Sequence, residues 1–315
     1  MNYLYQAYGL NIRSELPLPE LIEGGTGEDL EIIRGKLTPP DLKHTTIERQ
    51  GREALFGGNE TTAYLRWEGL MTILAKEGKT LIVDPDSEET NQELLNLYLL
   101  SEALALILYQ KGLFLLHASA VQIGKVALMF MGESGAGKST TAAAFSQRGH
   151  WVFADDITAI DIKEKPMVIP AFPQVKIWPD TMQGLGYSSL SPIFPGSQKR
   201  VLRPKDDFPI TPLPLAQIFV LKKGATVTQP TLTKMAKSEA FFKLTSFFFC
   251  PNPIFEGKTL ETHFQRCTNF ADKVNIWHLE LPRSYQMLQK FVIWMEKEYS
   301  SYSEKSGVKK LINEL

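Results

Sequence analysis

A glycine-rich segment near the middle of the chain has the pattern of a phosphate-binding loop. It runs from Gly132 to Ser139 and matches G-x-x-x-x-G-K-[ST]. Glycines let the backbone curl so that consecutive N–H groups point at a phosphate, and the dipole of a following helix favours the negative charge. We expect Lys138 to reach the β- and γ-phosphates of ATP and Ser139 to offer its hydroxyl to Mg²⁺. The residues predicted to bind the nucleotide are Gly132, Glu133, Ser134, Gly135, Ala136, Gly137, Lys138, Ser139 and Thr140.

Two adjacent carboxylates, Asp155 and Asp156, follow the loop after one short helical stretch. A site for Mg²⁺ and a nucleotide needs a carboxylate to hold the metal, and a hydroxyl acceptor needs a base beside it. Two neighbouring carboxylates can divide these tasks. Either one of them faces the site, because strand side chains alternate, or the strand ends there and both turn inward. The alternative is a solvated acidic turn without a function.

The elements around these residues predict an α/β unit. Leu113–Val121 and Val126–Met131 are continuous apolar runs, which are typical of strands covered on both faces. Lys138–Arg148 is predicted as a helix and Trp151–Ile160 as the next strand, which we expect beside the strand that leads into the loop. His117 lies inside the first run, where a histidine is either a satisfied core residue or a functional one.

The pattern of apolar and polar residues divides the chain into several regions. A hairpin pattern, Met71–Ala75 and Thr80–Val83, makes the N-terminal region β-rich, and Leu94–Tyr109 is an apolar helix. That helix is shorter than the roughly 20 residues that cross a bilayer and carries polar residues, so we expect it to be buried in protein. The predicted organisation is a β-rich lobe (1–90), a connecting helix (91–112), a catalytic domain (113–300) and a charged tail (301–315).

The composition excludes several classes of protein. With 34 Lys and Arg against 35 Asp and Glu, the net charge of -1 argues against a general affinity for nucleic acid or for an anionic membrane. Cys250 and Cys267 are too few for a disulfide framework. The first residues show no signal-peptide pattern, so we expect a cytoplasmic location. Both a monomer and a homo-oligomer remain open.

Three segments taken together resemble the catalytic domain of HPr kinase/phosphorylase. They are His117–Val121, Gly132–Thr140 and Gly149–Asp156, and the resemblance covers roughly residues 113–160. It implies a P-loop kinase domain with a mixed sheet, α/β in class (α+β overall), to which the β-rich N-terminal lobe is added. It also implies an ATP- and Mg²⁺-dependent kinase whose acceptor is a serine hydroxyl of a peptide or protein.

The same resemblance assigns roles to individual residues. It implies that Asp155 is the base for the serine hydroxyl and that Asp156 and Ser139 help to hold Mg²⁺. Lys138, with Ser139, would hold the ATP phosphates, and His117 would sit beside the reacting centre.

Other segments are similar to one branch of HPr-kinase-like proteins, found in bacterial peptide-tailoring gene sets. They are Tyr8–Leu10, Phe172–Pro179 and Pro214–Leu215. The resemblance implies that the acceptor is a serine of a lasso-peptide precursor.

The chain also departs from HPr kinase/phosphorylase. Thr140 stands where that family has a glutamate, and no segment resembles the family's V-E-I-P-V-x-P-G-R stretch. We therefore expect neither reverse phosphorolysis nor HPr as the substrate.

A basic cluster of Lys199, Arg200 and Arg203 lies in the loop-like stretch Ser188–Lys205. This cluster, with Arg200 as its predicted catalytic residue, is our candidate for binding transition-state charge or a substrate carboxylate; the alternative is a solvated charged loop. Two other functions remain open: a kinase of a small-molecule hydroxyl and a nucleotide-binding regulator with little catalysis.

Overall fold

A computed structural model describes residues 2–38, 40, 44–49, 51–203, 207–224, 226–251 and 257–300. The chain forms two compact units. The first contains Met1–Leu115 and Phe249–Arg266, and the second contains Leu116–Phe248 and Cys267–Leu315. The predicted tail, residues 301–315, lies outside the described residues. Within them, no helix is long and apolar enough to cross a membrane.

The first unit is built on a nine-stranded sheet. Its strand order is β3-β1-β2-β4-β9-β8-β7-β6-β5, in which β4 runs parallel to both its neighbours and the other pairs are antiparallel. The strands are β1 Tyr3–Ala7, β2 Leu10–Ser14, β3 Ile22–Glu23, β4 Leu30–Arg34, β5 His44–Arg49, β6 Arg52–Gly58, β7 Thr62–Trp67, β8 Met71–Lys76 and β9 Thr80–Pro85. The predicted hairpin is confirmed as β8 and β9.

A buried helix follows this sheet, as the sequence predicts. It consists of α1 (Gln92–Tyr98), a π-helical turn (Leu99–Ala103) and α2 (Leu104–Gln110). The Asn91 side chain caps its start by accepting a hydrogen bond from the Leu94 amide at 2.8 Å. The π-helical turn is the feature that the apolar pattern does not predict.

The second unit contains a mixed sheet with the order β14-β15-β19-β12-β11-β13, while β21 pairs with β19 and β20. A smaller sheet has the order β16-β18-β17. The predicted α/β class with mixed sheets is confirmed. The strands are β10 Phe114–Leu116, β11 Ala118–Ile123, β12 Val126–Met131, β13 Val152–Ala154, β14 Thr158–Asp161, β15 Met167–Ile169, β16 Val175–Ile177, β17 Ser191–Pro192, β18 Arg200–Leu202, β19 Leu213–Leu221, β20 Thr231–Lys234 and β21 Ile276–Glu280. The helices are α3 Lys138–Gln147, α4 Pro179–Gly184, α5 Lys237–Ser246, α6 Lys258–Lys273 and α7 Tyr285–Ser300. Residues 114–115 of β10 and 258–266 of α6 belong to the first unit.

Two helices and the sheet share the core of the second unit. The rings of Phe130 on β12, Phe145 on α3 and Phe219 on β19 pack together, with centroids 5.5 to 5.7 Å apart. Phe291 and Met295 of α7 are fully buried in the same cluster. The core therefore fixes β12 and α3, the two elements that flank the glycine-rich loop.

Three sequence-based predictions about strands, and one about a loop, are wrong in part. The apolar run Leu113–Val121 is two strands, β10 and β11, broken at His117, and Trp151–Ile160 is likewise broken into β13 and β14. In addition, β13 pairs with β11 and not with the loop strand β12. The cause of the third error is that β11 returns antiparallel to β12 and occupies that edge of it. In Ser188–Lys205, predicted as a loop, the structure forms β17 and β18, which place Arg200 in a strand.

Candidate functional site

The glycine-rich loop connects the fully buried strand β12 to α3, as its sequence pattern requires. Gly132, Gly135 and Gly137 all have positive φ angles, of 154°, 78° and 103°. Gly132 needs the absence of a side chain most, because a Cβ atom there would lie 2.9 Å from the Leu221 carbonyl oxygen. The backbone therefore requires a glycine at the first position of this loop, where it approaches β19 closely.

Strand register brings the predicted site residues to one end of the sheet. Ala118 of β11 lies opposite Met131, the last residue of β12, so His117 and Gly132 follow at the same end. Ala120 of β11 lies opposite Ala154, the last residue of β13. Because these pairs are antiparallel, Ser119 and Asp155 are next to one another beside the loop.

Lys138 opens α3 and is only 7% exposed. Its Nζ donates hydrogen bonds to the carbonyl oxygens of Gly132 and Glu133, at 2.7 and 3.2 Å. Burial lowers the pKa of this ammonium group, while the negative charges of Asp156 and Asp155 oppose that effect. The cation is thus held under the loop, within reach of any anion that the loop binds.

Asp155 is the hydrogen-bond centre of the site. It accepts from the Ser119 hydroxyl at 2.6 Å, from the Ser139 hydroxyl at 2.9 Å and from the Lys176 backbone N–H at 2.9 Å. Burial and the adjacent charge of Asp156 raise the pKa of this carboxyl above its ordinary value, although the three hydrogen bonds act in the opposite direction.

Asp156 has a different environment. Its carboxylate accepts a hydrogen bond from Lys176 Nζ at 2.8 Å, in an ion pair. Burial alone would raise its pKa, but the charges of Lys176 and Lys199 and the His117 imidazole hold that pKa below the ordinary value. Its backbone has φ 72°, a left-handed conformation that is uncommon for a residue other than glycine.

The two aspartates turn toward the loop together because β13 ends at Ala154, directly before them. This is one of the two arrangements that the sequence left open. The structure bonds the loop residue Ser139 to Asp155, whereas the sequence paired Ser139 with Asp156 as metal ligands. The two pKa directions distinguish the carboxyls: one is disposed to take up a proton and the other to stay ionised. The division of roles between them stays a prediction.

His117 lies in the break between β10 and β11. Its backbone N–H donates to the Phe247 carbonyl oxygen at 2.8 Å, which holds the chain at the break. The effect of its imidazole on Asp156 places it in the electrostatic surroundings of the site.

The basic cluster contributes to the site through Lys199. The positive charge of Lys199 lowers the pKa of both Asp156 and Lys138, and its Nζ lies 5.4 Å from the centre of the Trp178 ring. Arg200 lies opposite Ile177 in the sheet, and Val201 lies opposite Lys176. Because side chains alternate along a strand, Arg200 is on the face opposite to that of Lys176. The substrate-binding role of Arg200 stays a prediction.

Reasoning from sequence missed three residues that build the site. Ser119 and Lys176 bond the two aspartates, and Thr181 on α4 places its hydroxyl 3.0 Å from that of Thr140. A signal existed for two of them. Ser119 lies two residues after His117, and Lys176 lies in the proline-punctuated stretch Phe172–Pro179. Polar residues in such apolar stretches need partners, and each finds an aspartate.

The residues present fit ATP and Mg²⁺. A Cβ atom would fill the cradle at Gly132, Lys138 supplies a cation, and Ser139 and Asp155 bring a hydroxyl and a carboxylate together at 2.9 Å. Within the described ranges no group of three or more His, Cys, Asp or Glu is placed to hold a metal by itself. Mg²⁺ is usually bound by one or two carboxylates and by substrate phosphates, and the Ser139 hydroxyl beside the Asp155 carboxylate supplies donors of that kind.

Sequence comparison supports the resemblance over part of the chain. No protein-family model matches. A stretch of 79 residues is 30% identical to the HPr kinase/phosphorylase of Limosilactobacillus reuteri, and a stretch of 80 residues is 32% identical to that of Clostridium botulinum. Each stretch is 25% of this chain, and it spans only about a quarter of the relative's length (25% and 26%).

The chain also matches a solved structure weakly. The HPr(Ser) kinase/phosphatase from Coxiella burnetii matches with a TM-score of 0.29 and 13% sequence identity, over 58% of this chain and 98% of that one. The sequence similarity to HPr kinase/phosphorylase covers a quarter of this chain.

Proposed function

We propose that this chain is an ATP- and Mg²⁺-dependent kinase that transfers a phosphoryl group to a serine hydroxyl of a peptide or protein. One observation carries the proposal: a buried aspartate with a raised pKa, Asp155, is bonded to Ser139 of the glycine-rich loop. A phosphate-binding loop and a candidate base are therefore in direct contact. The sequence similarity to HPr kinase/phosphorylase supports the same reaction class.

The nucleotide would be held by the loop and by Lys138. The Lys138 ammonium, now bonded to the loop carbonyls of Gly132 and Glu133, would exchange them for β- and γ-phosphate oxygens. The Ser139 hydroxyl and Asp156 would hold the metal. When bound, Mg²⁺ and ATP supply the electrophilic phosphoryl group with part of its charge neutralised.

The acceptor would be activated by Asp155. A carboxylate whose pKa is raised takes a proton from a hydroxyl more readily, and a position beside the loop serine puts it next to the reacting phosphate. Asp156, which stays ionised beside Lys176, Lys199 and His117, would support the cations. Most of the rate enhancement would come from positioning and electrostatics, as is usual for phosphoryl transfer.

We further propose a peptide acceptor, of the lasso-precursor class that the sequence resemblance implies. The positive charge of Lys199 beside the site suits a peptide with a carboxylate near the acceptor serine. Lys199 would bind that carboxylate, and Arg200, from the same cluster but on the other face of β18, would meet a part of the peptide farther from the acceptor serine.

The test is transfer from ATP labelled on its γ-phosphate to a panel of acceptors. The panel holds serine peptides, among them lasso-precursor sequences, and small metabolites with hydroxyl groups. Label on a serine peptide supports the proposal; label only on a metabolite, or on nothing, contradicts it and favours the small-molecule kinase or the nucleotide-binding regulator.

The matched variants are Lys138→Ala and Lys125→Ala. Lys138→Ala is expected to reduce transfer by about a hundredfold or more, because the lysine meets the phosphates whose charge grows in the transition state. Lys125 is exposed and lies at the other end of β12, so Lys125→Ala is expected to retain wild-type transfer. Thermal unfolding of both variants checks that the fold is intact. Transfer at the wild-type rate by Lys138→Ala would refute the loop assignment.

A further inference from the structure

Lys176 is held firmly at the edge of the site. It is the middle residue of β16, between Val175 and Ile177, whose side chains are buried in the core of the second unit. The strand pairs with β18, with Lys176 opposite Val201. Because the neighbouring side chains point into the core, the Lys176 side chain projects to the other face of the strand, where the two aspartates lie.

This one residue contacts both aspartates through different groups. Its backbone N–H donates to Asp155 Oδ2 at 2.9 Å, and its Nζ donates to Asp156 Oδ2 at 2.8 Å. The side chain of Lys176 is 12% exposed and that of Asp156 is 21% exposed, so solvent screens the ion pair only in part. These two hydrogen bonds therefore connect Lys176 to both residues of the turn that carries the carboxyl groups.

The turn needs such a support. Asp156 has φ 72°, and a residue other than glycine persists in this conformation only when its surroundings enforce it. The neighbouring carboxylates also repel each other while both are ionised. A cation bonded to Asp156, on a strand whose backbone is bonded to Asp155, opposes both effects.

We propose that Lys176 is a positioning residue that holds Asp155 and Asp156 in their working orientation through these two contacts. For its catalytic consequence this rests on the proposed kinase function. Lys176 acts through the aspartates: without its ammonium group the turn relaxes, Asp156 swings away, and Asp155 no longer presents a fixed oxygen to the acceptor hydroxyl. The nucleotide-binding loop and Lys138 stay in place.

The decisive measurement needs neither nucleotide nor acceptor. Amide hydrogen exchange at residue 176 reports whether its N–H is still bonded to Asp155. In Lys176→Met, which keeps the length and removes the charge, we expect this exchange to be at least about tenfold faster than in the wild type. Lys176→Arg, which restores a cation, should return it to within about threefold. Lys125→Met, an exposed lysine at the far end of β12, is the matched control and should leave it unchanged.

A second measurement separates positioning from nucleotide binding. Calorimetry with ATP at saturating Mg²⁺, where a weaker metal contact of Asp156 is compensated, is expected to give the same ATP affinity for Lys176→Met and the wild type within about threefold. Phosphoryl transfer at saturating Mg²⁺ and ATP is expected to fall at least about tenfold. A large loss of nucleotide affinity with unchanged exchange would place Lys176 on the phosphates and overturn the proposal. Unchanged exchange with unchanged affinity would also overturn it.

Two further outcomes concern a variant that does not fold and a wild type that transfers no phosphate. If Lys176→Met fails to fold by circular dichroism, Asp156→Asn breaks the same ion pair from the other side and should accelerate the same amide. If exchange responds as expected but the wild type transfers no phosphate to any acceptor, the positioning role is supported and the proposed kinase function fails alone.

Discussion

Replacing Gly132 by alanine tests the loop geometry most directly. Gly132 has φ 154°, and a Cβ atom there would lie 2.9 Å from the Leu221 carbonyl oxygen and 3.0 Å from the Ala136 Cβ. The carbonyl belongs to β19, which pairs with β12 on one side and β21 on the other, so it cannot move away freely. Backbone strain of this kind costs about 1–3 kcal/mol, and forcing an extra methyl group into a packed site adds about 1–3 kcal/mol.

We therefore expect Gly132→Ala to lower the free energy of unfolding by about 2–6 kcal/mol. Urea denaturation measures the change, and an unaltered slope shows that the mutation has changed the stability and not the surface exposed on unfolding. The control is Gly149→Ala. Gly149 also has a positive φ, 88°, but no atom lies within 4 Å of the position that an added Cβ would take, so only backbone strain of about 1–2 kcal/mol is expected.

The same pair of variants tests the link to nucleotide binding. To relieve the contact with Leu221, the loop must shift at its first residue, which misaligns the N–H groups that follow. We expect the affinity for Mg²⁺ and ATP to fall at least about tenfold in Gly132→Ala and to stay within about threefold in Gly149→Ala. If the two variants lose equal stability and equal affinity, the close contact at Gly132 has no role and this reasoning is wrong.

Two further predictions concern charged groups. Asp155→Asn should reduce transfer by about 10²–10⁴ with nucleotide affinity nearly kept, while Asp156→Asn should raise the Mg²⁺ requirement; calorimetry that finds equal binding losses would contradict this division. Glu296 on α7 accepts two hydrogen bonds from Arg148 and one from His150, and the Arg148 bonds, the largest influence, lower its pKa. Its stabilisation is therefore present above its unfolded pKa and lost as pH falls through the lower folded value. Denaturation of Glu296→Gln at several pH values should show a loss of about 1 kcal/mol near neutrality that shrinks in acid; a pH-independent loss would rule out the ion pair as the cause.

Local patterns were enough to predict much of the fold. The hairpin of β8 and β9, the buried helix of α1 and α2, and the order of strand, loop and helix around Lys138 follow from short-range periodicity and turn residues. The signals lie within about ten residues of each other, so no knowledge of distant neighbours is needed.

The exposure of individual side chains was harder to predict from the sequence. Phe242 on α5 is 66% exposed, whereas Phe249, seven residues farther along the same aromatic-rich stretch, is buried. Arg200 was expected in a loop but lies in β18, because pairing with β16 supplies the backbone partners. Composition shows that a residue is apolar or charged, but the position of its element decides which side of it meets solvent.

The prediction that β13 lies beside the loop strand β12 is wrong, and the same error explains why Ser119 was missed. If β13 were next to the loop strand, the partner of Asp155 would have to come from β12, whose six residues are all apolar and buried. With β11 between them, antiparallel to both, Ser119 lies beside Asp155 and bonds it at 2.6 Å. Strand order depends on pairing between residues that are far apart in sequence. The hydrophobic period and the length of each predicted strand do not encode it. The site thus needs the intervening strand to bring a hydroxyl to the aspartate, and a sequence-based account of this site has to decide the strand order before it can choose the aspartate's partners.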